Sequence, residues 1–303
     1  HRTVITFAGE PHAVADGAVA LIEKSIEVLD MRTHHGEHPR MGVVDVCPFV
    51  PLQNTTMEEC AALAAQVVNR LAQRGDVPLF LYGHAATREE RTMLSHLRKE
   101  EYEGLEARLT GGETSHSEAT RWPDAGAREW SETVARAGGI TVGARSILVA
   151  YNVNVDEKGA SVSRKIGSIV RSSGRLLKSA NGGKIRSRGM LQKVQGMGVP
   201  VDELGISQVS MNLLDVDVCP LHLAFKTCES LAADHGVSLC GSEVVGLVPL
   251  QAMLEAGEFF DPDASGDRQL VEAAMEGLGL NVHHDFDPDS HIIEWALVKG
   301  VKE

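Results

Sequence analysis

Aromatic residues are scarce in this chain of 303 residues: they make up 4% of it, whereas hydrophobic residues as a whole make up 43%. We therefore expect a core of aliphatic side chains and alanine, because few large rings are available to fill it. The length is sufficient for one large domain or for two subdomains with cores of their own.

Positive charge is also in short supply, since 29 lysines and arginines face 42 aspartates and glutamates and leave a net charge of −13. This balance disfavours nucleic acid and anionic membranes as general partners. The sequence holds no apolar run long enough to span a bilayer and no signal-peptide pattern. It therefore predicts a cytoplasmic protein with neither a nucleic-acid nor a membrane partner.

Several familiar motifs are missing. The five cysteines are odd in number and form no Cys-x-x-Cys pair, so neither a disulfide framework nor a cysteine zinc site is expected. The sequence has no phosphate-binding P-loop, no dinucleotide glycine fingerprint and no Gly-x-Ser-x-Gly turn. These absences argue against nucleotide binding and against a serine nucleophile.

A histidine-rich segment, residues 33–42, is the most informative part of the sequence, and we call it the His loop. It holds three imidazoles, one carboxylate and one guanidinium, while Gly36 and Pro39 oppose a regular helix or strand. Histidine exchanges protons near neutral pH, so a functional loop is expected. A solvated loop without function is one alternative. A zinc site through His34 and His38 is another, although their i, i+4 spacing suits a metal only on a helix.

Hydrophobic periodicity predicts alternating strands and helices in both halves of the chain. Helices are predicted over 12–29, 56–74, 160–172, 220–233, 250–256 and 270–278. Strands are predicted over 4–7, 43–50, 77–82, 147–153, 208–214, 238–247 and 292–298, and short helices with irregular structure over 88–138. The predicted fold class is α/β (α+β), with two subdomains, 1–157 and 158–303, each a mixed β-sheet covered by helices.

A basic stretch lies just beyond this boundary and reverses the overall sign of the charge. Its basic residues are Arg164, Lys165, Arg171, Arg175, Lys178, Lys184, Arg186, Arg188 and Lys193. The plain interpretation is a solvated helix and loop. The functional interpretation is a track for a polyanionic ligand.

Read together and in this order, several motifs resemble the formiminotransferase domain, a family found in glutamate formimidoyltransferases and fused in formimidoyltransferase-cyclodeaminases. The resemblance covers essentially the whole chain. Its most specific strings are HHGEHPRMG over 34–42 and DVCPF over 45–49. Other matching segments are 2–4, 81–83, 143–152, 193–196, 212–215 and 244–250.

The resemblance implies transfer of the formimidoyl group of N-formimidoyl-L-glutamate to N5 of tetrahydrofolate, leaving L-glutamate, in a late step of histidine breakdown. Tetrahydrofolate would be a co-substrate, no metal is implied, and a homodimer is suggested. The implied fold has a ligand groove between the two subdomains, and folate polyglutamate tails would give the basic stretch a use.

The resemblance also implies roles for particular residues. The family's catalytic histidine falls on His38, and Arg40, two residues along the same loop, is a candidate ligand for a substrate carboxylate. The implied folate contacts are Gly143, Ala144, Arg145, Ser146, Ile147, Leu148, Val149, Ala150, Tyr151, Asn152 and Glu203.

Three alternative functions stay open at this point. They are a formyltransferase acting between 5-formyltetrahydrofolate and glutamate, a non-catalytic folate-binding subunit, and a metal-dependent hydrolase using His34, His35 and His38. The second draws on a departure from the family, which has about forty residues ahead of the strand that begins at Arg2, the size of a βα unit. The N-terminal subdomain is accordingly expected to lack its first strand and helix.

Overall fold

The computed structural model describes residues 3–35, 39–52, 54–178 and 181–300. Packing divides the chain into two units, His1–Ser146 and Ile147–Glu303. The predicted boundary after residue 157 lies further along, at the end of a strand that belongs to the sheet of the second unit. The prediction of two α/β subdomains is confirmed.

The described elements of the first unit alternate between helices and strands, except that three short helices follow one another between the second and third strands. Its helices are α1 Pro11–Val28, α2 Met57–Ala72, α3 Leu94–Leu97, α4 Leu105–Thr110, α5 Glu118–Arg121 and α6 Glu132–Ala137. Its strands are β1 Val46–Phe49, β2 Pro78–Gly83, β3 Ala125–Gly126 and β4 Ile140–Ala144.

The sheet of the first unit has the order β1-β4-β2-β3, in which β1, β4 and β2 are parallel and β3 is antiparallel. Strand β4 comes last in the chain but lies in the middle, and all five of its residues are buried. A strand covered on both faces needs such a continuous apolar run. The carboxyl ends of the three parallel strands meet at one edge, where Phe49 and Gly83 both pair with Ala144.

Helices α1 and α2 cover one face of this sheet. Helix α2 begins at the predicted capping box: Thr56 Oγ1 accepts from the Glu59 backbone N–H at 3.2 Å, and the Glu59 carboxylate accepts from the Thr56 N–H at 2.8 Å. Ile22 and Ile26 of α1 and Val67 of α2 are buried in the same cluster as the strands. Both helix predictions are confirmed.

The predicted strand over 4–7 is wrong. The described residues 3–9 form no regular element, and Val4 and Ile5 are exposed. The Phe7 ring lies against α1, where a Cβ on Gly17 would be 3.2 Å from it. The segment thus contacts a helix instead of a strand edge, so its β-branched residues have no ladder to join.

Residues 88–139 form the segment that packs on the other side of the sheet, and buried arginines hold it together. Arg108 is 1% exposed and donates to the carbonyl oxygens of Arg121 at 2.6 Å and Leu97 at 3.0 Å. It also donates to the Thr120 carbonyl. Its guanidinium lies 4.2 Å from the centre of the Phe80 ring. Burial, reinforced by neighbouring positive charge, lowers the pKa of Arg108 to about 9.

A second buried arginine acts in the same way nearby. Arg91 donates to the carbonyl oxygens of Ala119 at 2.6 Å and Trp122 at 2.7 Å and forms an ion pair with Asp124. The Asp124 carboxylate also accepts from the Leu81 N–H of β2 at 2.8 Å. Short helices with many unpaired carbonyls can be buried here because guanidinium groups supply the missing donors.

The described elements of the second unit are as follows. Its helices are α7 Ser161–Val170, α8 Leu221–Ala233, α9 Leu250–Phe260, α10 Asp267–Leu278, α11 Pro288–His291 and α12 Ile293–Gly300. Its strands are β5 Val149–Val155, β6 Arg175–Lys178, β7 Lys184–Ser187, β8 Val194–Val201, β9 Ile206–Leu213 and β10 Leu239–Val245.

The main sheet of the second unit has the order β10-β5-β9-β8, and every neighbouring pair is antiparallel. This differs from the mixed sheet that the sequence predicted, because β8 and β9 form a hairpin and β10 pairs antiparallel with β5. Alternate residues of β5, among them Tyr151, Val153 and Val155, are fully buried in one core with residues of α7 and α8. No helix in the described ranges is long and apolar enough to cross a membrane.

The predicted strand over 292–298 is also wrong, because residues 293–298 lie in α12. Ile292 makes an isolated bridge to Val248, and the chain then turns into a helix. The Glu294 carboxylate accepts from the Leu250 N–H at the start of α9 at 2.8 Å, and the Trp295 ring lies 4.0 Å under the Arg268 guanidinium. These tertiary contacts override the β-propensity of the isoleucine and valine residues.

The basic stretch includes a two-stranded hairpin, β6–β7, which forms a separate sheet. Its side chains are largely exposed, among them Leu176, Leu177 and Ile185. The register places Lys178 opposite Lys184. Like charges opposite one another are unfavourable in a hairpin, which agrees with the functional interpretation without testing it.

We expect Arg108→Met to lower the free energy of unfolding by about 3 kcal/mol, because three buried carbonyl oxygens would lose their donor. Urea denaturation followed by circular dichroism measures this. Arg128, which is exposed in the same segment, provides the matched control Arg128→Met. Equal stability of the two variants would contradict the structural role of Arg108.

The stability of the chain should depend on pH through His116. Its ring bonds to the Lys99 carbonyl at 2.9 Å, and burial lowers its pKa to about 4. Between pH 6.5 and about pH 4, His116 binds a proton in the unfolded chain but not in the folded chain, so it lowers stability as the pH falls through that range. From pH 7 to pH 4, we expect the free energy of unfolding of His116→Gln to fall by about 1–2 kcal/mol less than that of the unaltered chain. Urea denaturation at the two pH values checks this, with His235→Gln as the control; an unchanged difference would refute it.

Candidate functional site

The His loop is described at both ends but not in its middle. Gly36, Glu37 and His38 lie outside the described residues, so the structure gives no position for the predicted catalytic residue. At the far end, Met41 accepts from the Gly139 N–H at 2.9 Å through its backbone carbonyl. This contact fixes the end of the His loop beside the amino end of β4.

Arg40 is 6% exposed, and carboxylates of this chain already occupy its guanidinium. It donates to both oxygens of Glu103, at 2.8 and 2.6 Å, and to Glu101 at 3.1 Å. Its Nε lies 3.4 Å from His34 Nδ1. The hydrogen bond from Arg40 lowers the pKa of Glu103, and the same bond raises the pKa of Arg40. This bidentate geometry is the one that a substrate carboxylate would take.

Two residues with a left-handed backbone bring these carboxylates to Arg40. Glu100 and Glu101 have φ values of 63° and 56°, which costs a side-chain-bearing residue of the order of 1 kcal/mol. The Glu100 carboxylate stabilises the turn by accepting from Thr114 Oγ1 and the Ser115 N–H, both at 2.6 Å. These bonds lower the pKa of Glu100 to about 2. Strain of this kind concentrates at functional sites.

Asp45, in the DVCPF string, ties the end of the His loop to α3. Its Oδ1 accepts from the Met41 N–H at 3.0 Å and from Arg98 Nε at 3.1 Å. Arg98 directly follows α3 and completes an ion pair with the same carboxylate. The loop that carries the histidines is therefore anchored through charged side chains at its described carboxyl end.

Tyr82 lies beside the start of the predicted folate segment. It pairs with Gly143 across β2 and β4, and a Cβ on Gly143 would be 2.5 Å from the Tyr82 ring. The phenol is 3% exposed, and its oxygen has no hydrogen-bond partner among the described residues. Burial raises the pKa of Tyr82 to about 12, while Arg145 acts in the opposite direction. Glycine at 143 is thus required by the ring above it.

The predicted folate segment, 143–152, begins in β4, crosses from the first unit to the second and continues into β5. Glu203 is not close to the start of β5. It lies in the exposed turn between β8 and β9, next to the end of β5 marked by Val155, which pairs with Ser207. At about 3.4 Å per residue, the strand separates this turn from Val149 by about 20 Å.

Of a row of polar side chains on the second sheet, sequence reasoning singled out Asn152 and missed the others. Asn152, Asn154, Gln208, Asn212 and Glu243 point to the side opposite Tyr151, and we call this surface the amide face. Gln208 Nε2 donates to Asn154 Oδ1 at 2.9 Å and to Glu243 at 3.3 Å. Asn154 is 1% exposed. The alternation Asn-Val-Asn-Val over 152–155 was the available signal.

The described residues give little support to metal or thiolate chemistry. No group of three histidine, cysteine, aspartate or glutamate side chains in them is arranged to hold a metal, while His38, on which the hydrolase alternative depends, lies outside them. Burial raises the pKa of the Cys47 thiol to about 11, so it is protonated at neutral pH. The interactions among the described residues of the candidate site are hydrogen bonds and ion pairs.

Comparison with known proteins gives the family. A family model described as the formiminotransferase domain, N-terminal subdomain, matches residues 1–145, and one described as the formiminotransferase domain matches residues 150–298. The chain belongs to the formiminotransferase family. A glutamate formimidoyltransferase of Streptococcus pyogenes serotype M1 is 36% identical over 91% of this chain and 85% of its own length.

Two more relatives of this formiminotransferase-family chain complete the comparison. A glutamate formimidoyltransferase of Thermoplasma acidophilum is 34% identical over 91% of this chain and 84% of its own length. A formimidoyltransferase-cyclodeaminase of Dictyostelium discoideum is 37% identical over 100% of this chain and 53% of its own length. The chain thus spans about half the length of this longer relative.

The two buried tyrosines of this formiminotransferase-family chain should respond differently to loss of their hydroxyl. Tyr151 donates to Ser242 Oγ at 3.0 Å, whereas the Tyr82 oxygen has no partner among the described residues. We expect Tyr151→Phe to lower the free energy of unfolding by about 1 kcal/mol and Tyr82→Phe to leave it unchanged or slightly higher. Urea denaturation of both variants measures this; an equal loss in both would show that the Tyr82 hydroxyl is paired.

Proposed function

We propose that this chain is a glutamate formimidoyltransferase, which transfers the formimidoyl group of N-formimidoyl-L-glutamate to N5 of tetrahydrofolate. The observation that carries the proposal is the similarity to two glutamate formimidoyltransferases over more than four fifths of their length. The sequence of the His loop supports it.

The proposed chemistry needs one group that both accepts and returns a proton. N5 of tetrahydrofolate attacks the amidinium carbon, forms the new N–C bond and loses its proton. The bond from that carbon to the glutamate nitrogen then breaks, and this nitrogen takes up a proton. A neutral imidazole serves both steps near neutral pH. We assign it to His38, the residue on which the family's catalytic histidine falls.

Arg40 and the folate segment complete the proposal. Arg40 would bind a substrate carboxylate by exchanging Glu103 for it, since the Glu103 carboxylate holds its guanidinium in the same bidentate geometry. The segment 143–152 would contact folate through its amide-face side chains such as Asn152, because Val149 and Tyr151 are buried in the core. Because Glu203 lies about 20 Å from the start of β5, it would contact a different part of folate from the residues there. A homodimer in the cytoplasm remains part of the proposal.

A formyltransferase acting between 5-formyltetrahydrofolate and glutamate is the second candidate. It would use the same histidine and the same folate contacts, because a formyl carbon is also attacked by a nitrogen that must lose a proton. Preference between the formimidoyl and the formyl donor in one assay separates the two. A non-catalytic folate-binding subunit would bind folate and release no product from either donor.

The test is an absorbance assay of the purified chain with tetrahydrofolate and N-formimidoyl-L-glutamate, watching for the 5-formimidoyl or methenyl product. We expect turnover that falls by at least about a hundredfold in His38→Ala, because the proton acceptor is lost. His35→Ala, in the same loop, is the matched control and should keep turnover within a few-fold.

Each other outcome contradicts a stated part of the proposal. Unchanged turnover in His38→Ala removes the assignment of that residue. Equal losses in His35→Ala and His38→Ala, with sensitivity to a chelator, favour the metal alternative. Folate binding without product from either donor favours the non-catalytic subunit.

A further inference from the structure

Glu243 of β10 is the one carboxylate of the amide face, and the neighbouring amides set its orientation. Asn152 Nδ2 donates to Glu243 Oε2 at 3.4 Å and Gln208 Nε2 donates to the same oxygen at 3.3 Å. The other oxygen, Oε1, has His284 Nε2 at 3.8 Å. The side chain is 27% exposed, so one edge of it reaches the surface.

The amides themselves are held firmly. Gln208 is 8% exposed and Asn154 is 1% exposed, and the bond from Gln208 Nε2 to Asn154 Oδ1 measures 2.9 Å. Their strands are paired directly, with Asn154 opposite Gln208 and Asn152 opposite Glu243. A polar site on paired strands is more rigid than one on loops, which suits recognition of a ligand.

The carboxylate has acceptor capacity that these contacts do not use. An ionised carboxylate offers about four lone-pair sites. The two amide bonds both go to Oε2, and the contact of Oε1 with His284, at 3.8 Å, is beyond normal hydrogen-bond length. A planar ligand edge with two parallel N–H groups would fill the remaining sites with bidentate geometry.

We propose that the Glu243 carboxylate recognises the pterin ring of folate, accepting hydrogen bonds from its N3–H and its 2-amino group. This inference rests on the proposed function, which supplies folate as the ligand. Asn152, the last residue of the predicted folate segment, bonds to Glu243 and connects the two. A carboxylate would repel the acidic groups of a glutamate substrate, so glutamate itself is not the ligand at this point.

A protonated formimidoyl group presents the same planar N–C–N donor edge and is the other source of this chemistry. The two sources differ in what a substitution would change. If Glu243 recognises the pterin, Glu243→Gln should lower the affinity for folate. If it recognises the formimidoyl group, the same substitution should raise the KM for N-formimidoyl-L-glutamate.

The experiment is isothermal titration of the purified chain with folic acid, pterin and lumazine. Lumazine carries a carbonyl acceptor at C2 in place of the 2-amino donor of pterin. We expect the unaltered chain to bind pterin at least about tenfold more tightly than lumazine, because an acceptor facing a carboxylate is repelled. In Glu243→Gln the affinity for folic acid should fall by at least about tenfold and the preference for pterin should disappear.

The control is Glu229→Gln on α8, which removes one carboxylate of the same unit that pairs with Lys226. It should bind all three ligands like the unaltered chain. The comparison of pterin with lumazine needs no variant, so the proposal is testable even when Glu243→Gln fails to fold. Equal affinity of the unaltered chain for pterin and lumazine overturns the proposal.

Failure of this inference can be distinguished from failure of the proposed function. If the unaltered chain does not bind folic acid, the proposed function fails and the inference fails with it. If folic acid binds the unaltered chain and Glu243→Gln equally, only the inference is overturned. If folate affinity is kept and the KM for N-formimidoyl-L-glutamate rises in Glu243→Gln, the carboxylate holds the formimidoyl group instead of the pterin.

Discussion

The first unit depends on buried guanidinium groups that satisfy the carbonyl oxygens of short helices. Residues 88–139 cover one side of the sheet without a long helix, so many carbonyl groups there have no partner within their own element. Arg108 and Arg91 supply donors to five of them. Because Asp124 connects Arg91 to β2, this irregular segment is joined to the sheet through polar contacts as well as apolar ones.

The two units differ in how the faces of their main sheets are covered. In the first, the parallel strands are covered on both sides and read as continuous apolar runs. In the second, the antiparallel sheet buries alternate residues on its helix side and carries amides and one carboxylate on the other. The second arrangement leaves a polar, hydrogen-bonding surface on paired strands, which are more rigid than loops.

Local signals predicted the elements whose stability is local. The capping box at Thr56 fixed the start of α2 correctly, and the apolar run of β2 identified a buried strand. The predictions at residues 4–7 and 292–298 failed because distant partners decide those conformations, the helix α1 in one case and the amino end of α9 in the other. Propensity contains no information about such partners.

The parts of the site that lie in long motifs could be predicted from the sequence. The parts that depend on contacts distant in the sequence or on strand register could not. The His loop was recognised from its own residues, but the environment of Arg40 comes from Glu101 and Glu103, some sixty positions away in the chain. The same holds for Glu243, which meets Asn152 only through the pairing of β10 with β5. A strand register cannot be read from one sequence without its partner strand.

The contact between α7 and β8 limits where this chain can change in length. Backbone touches backbone there: a Cβ on Gly198 would be 2.1 Å from the Arg164 nitrogen, and one on Gly167 would be 2.6 Å from Met197. The hairpin β6–β7 leaves and rejoins the unit beside this contact, where the Met190 N–H donates to the Ile169 carbonyl at 2.9 Å. Its two ends are therefore held together independently of its tip. Insertions and deletions in the hairpin should accumulate across relatives and be tolerated in engineering, because they add little loop-closure entropy and leave the core untouched.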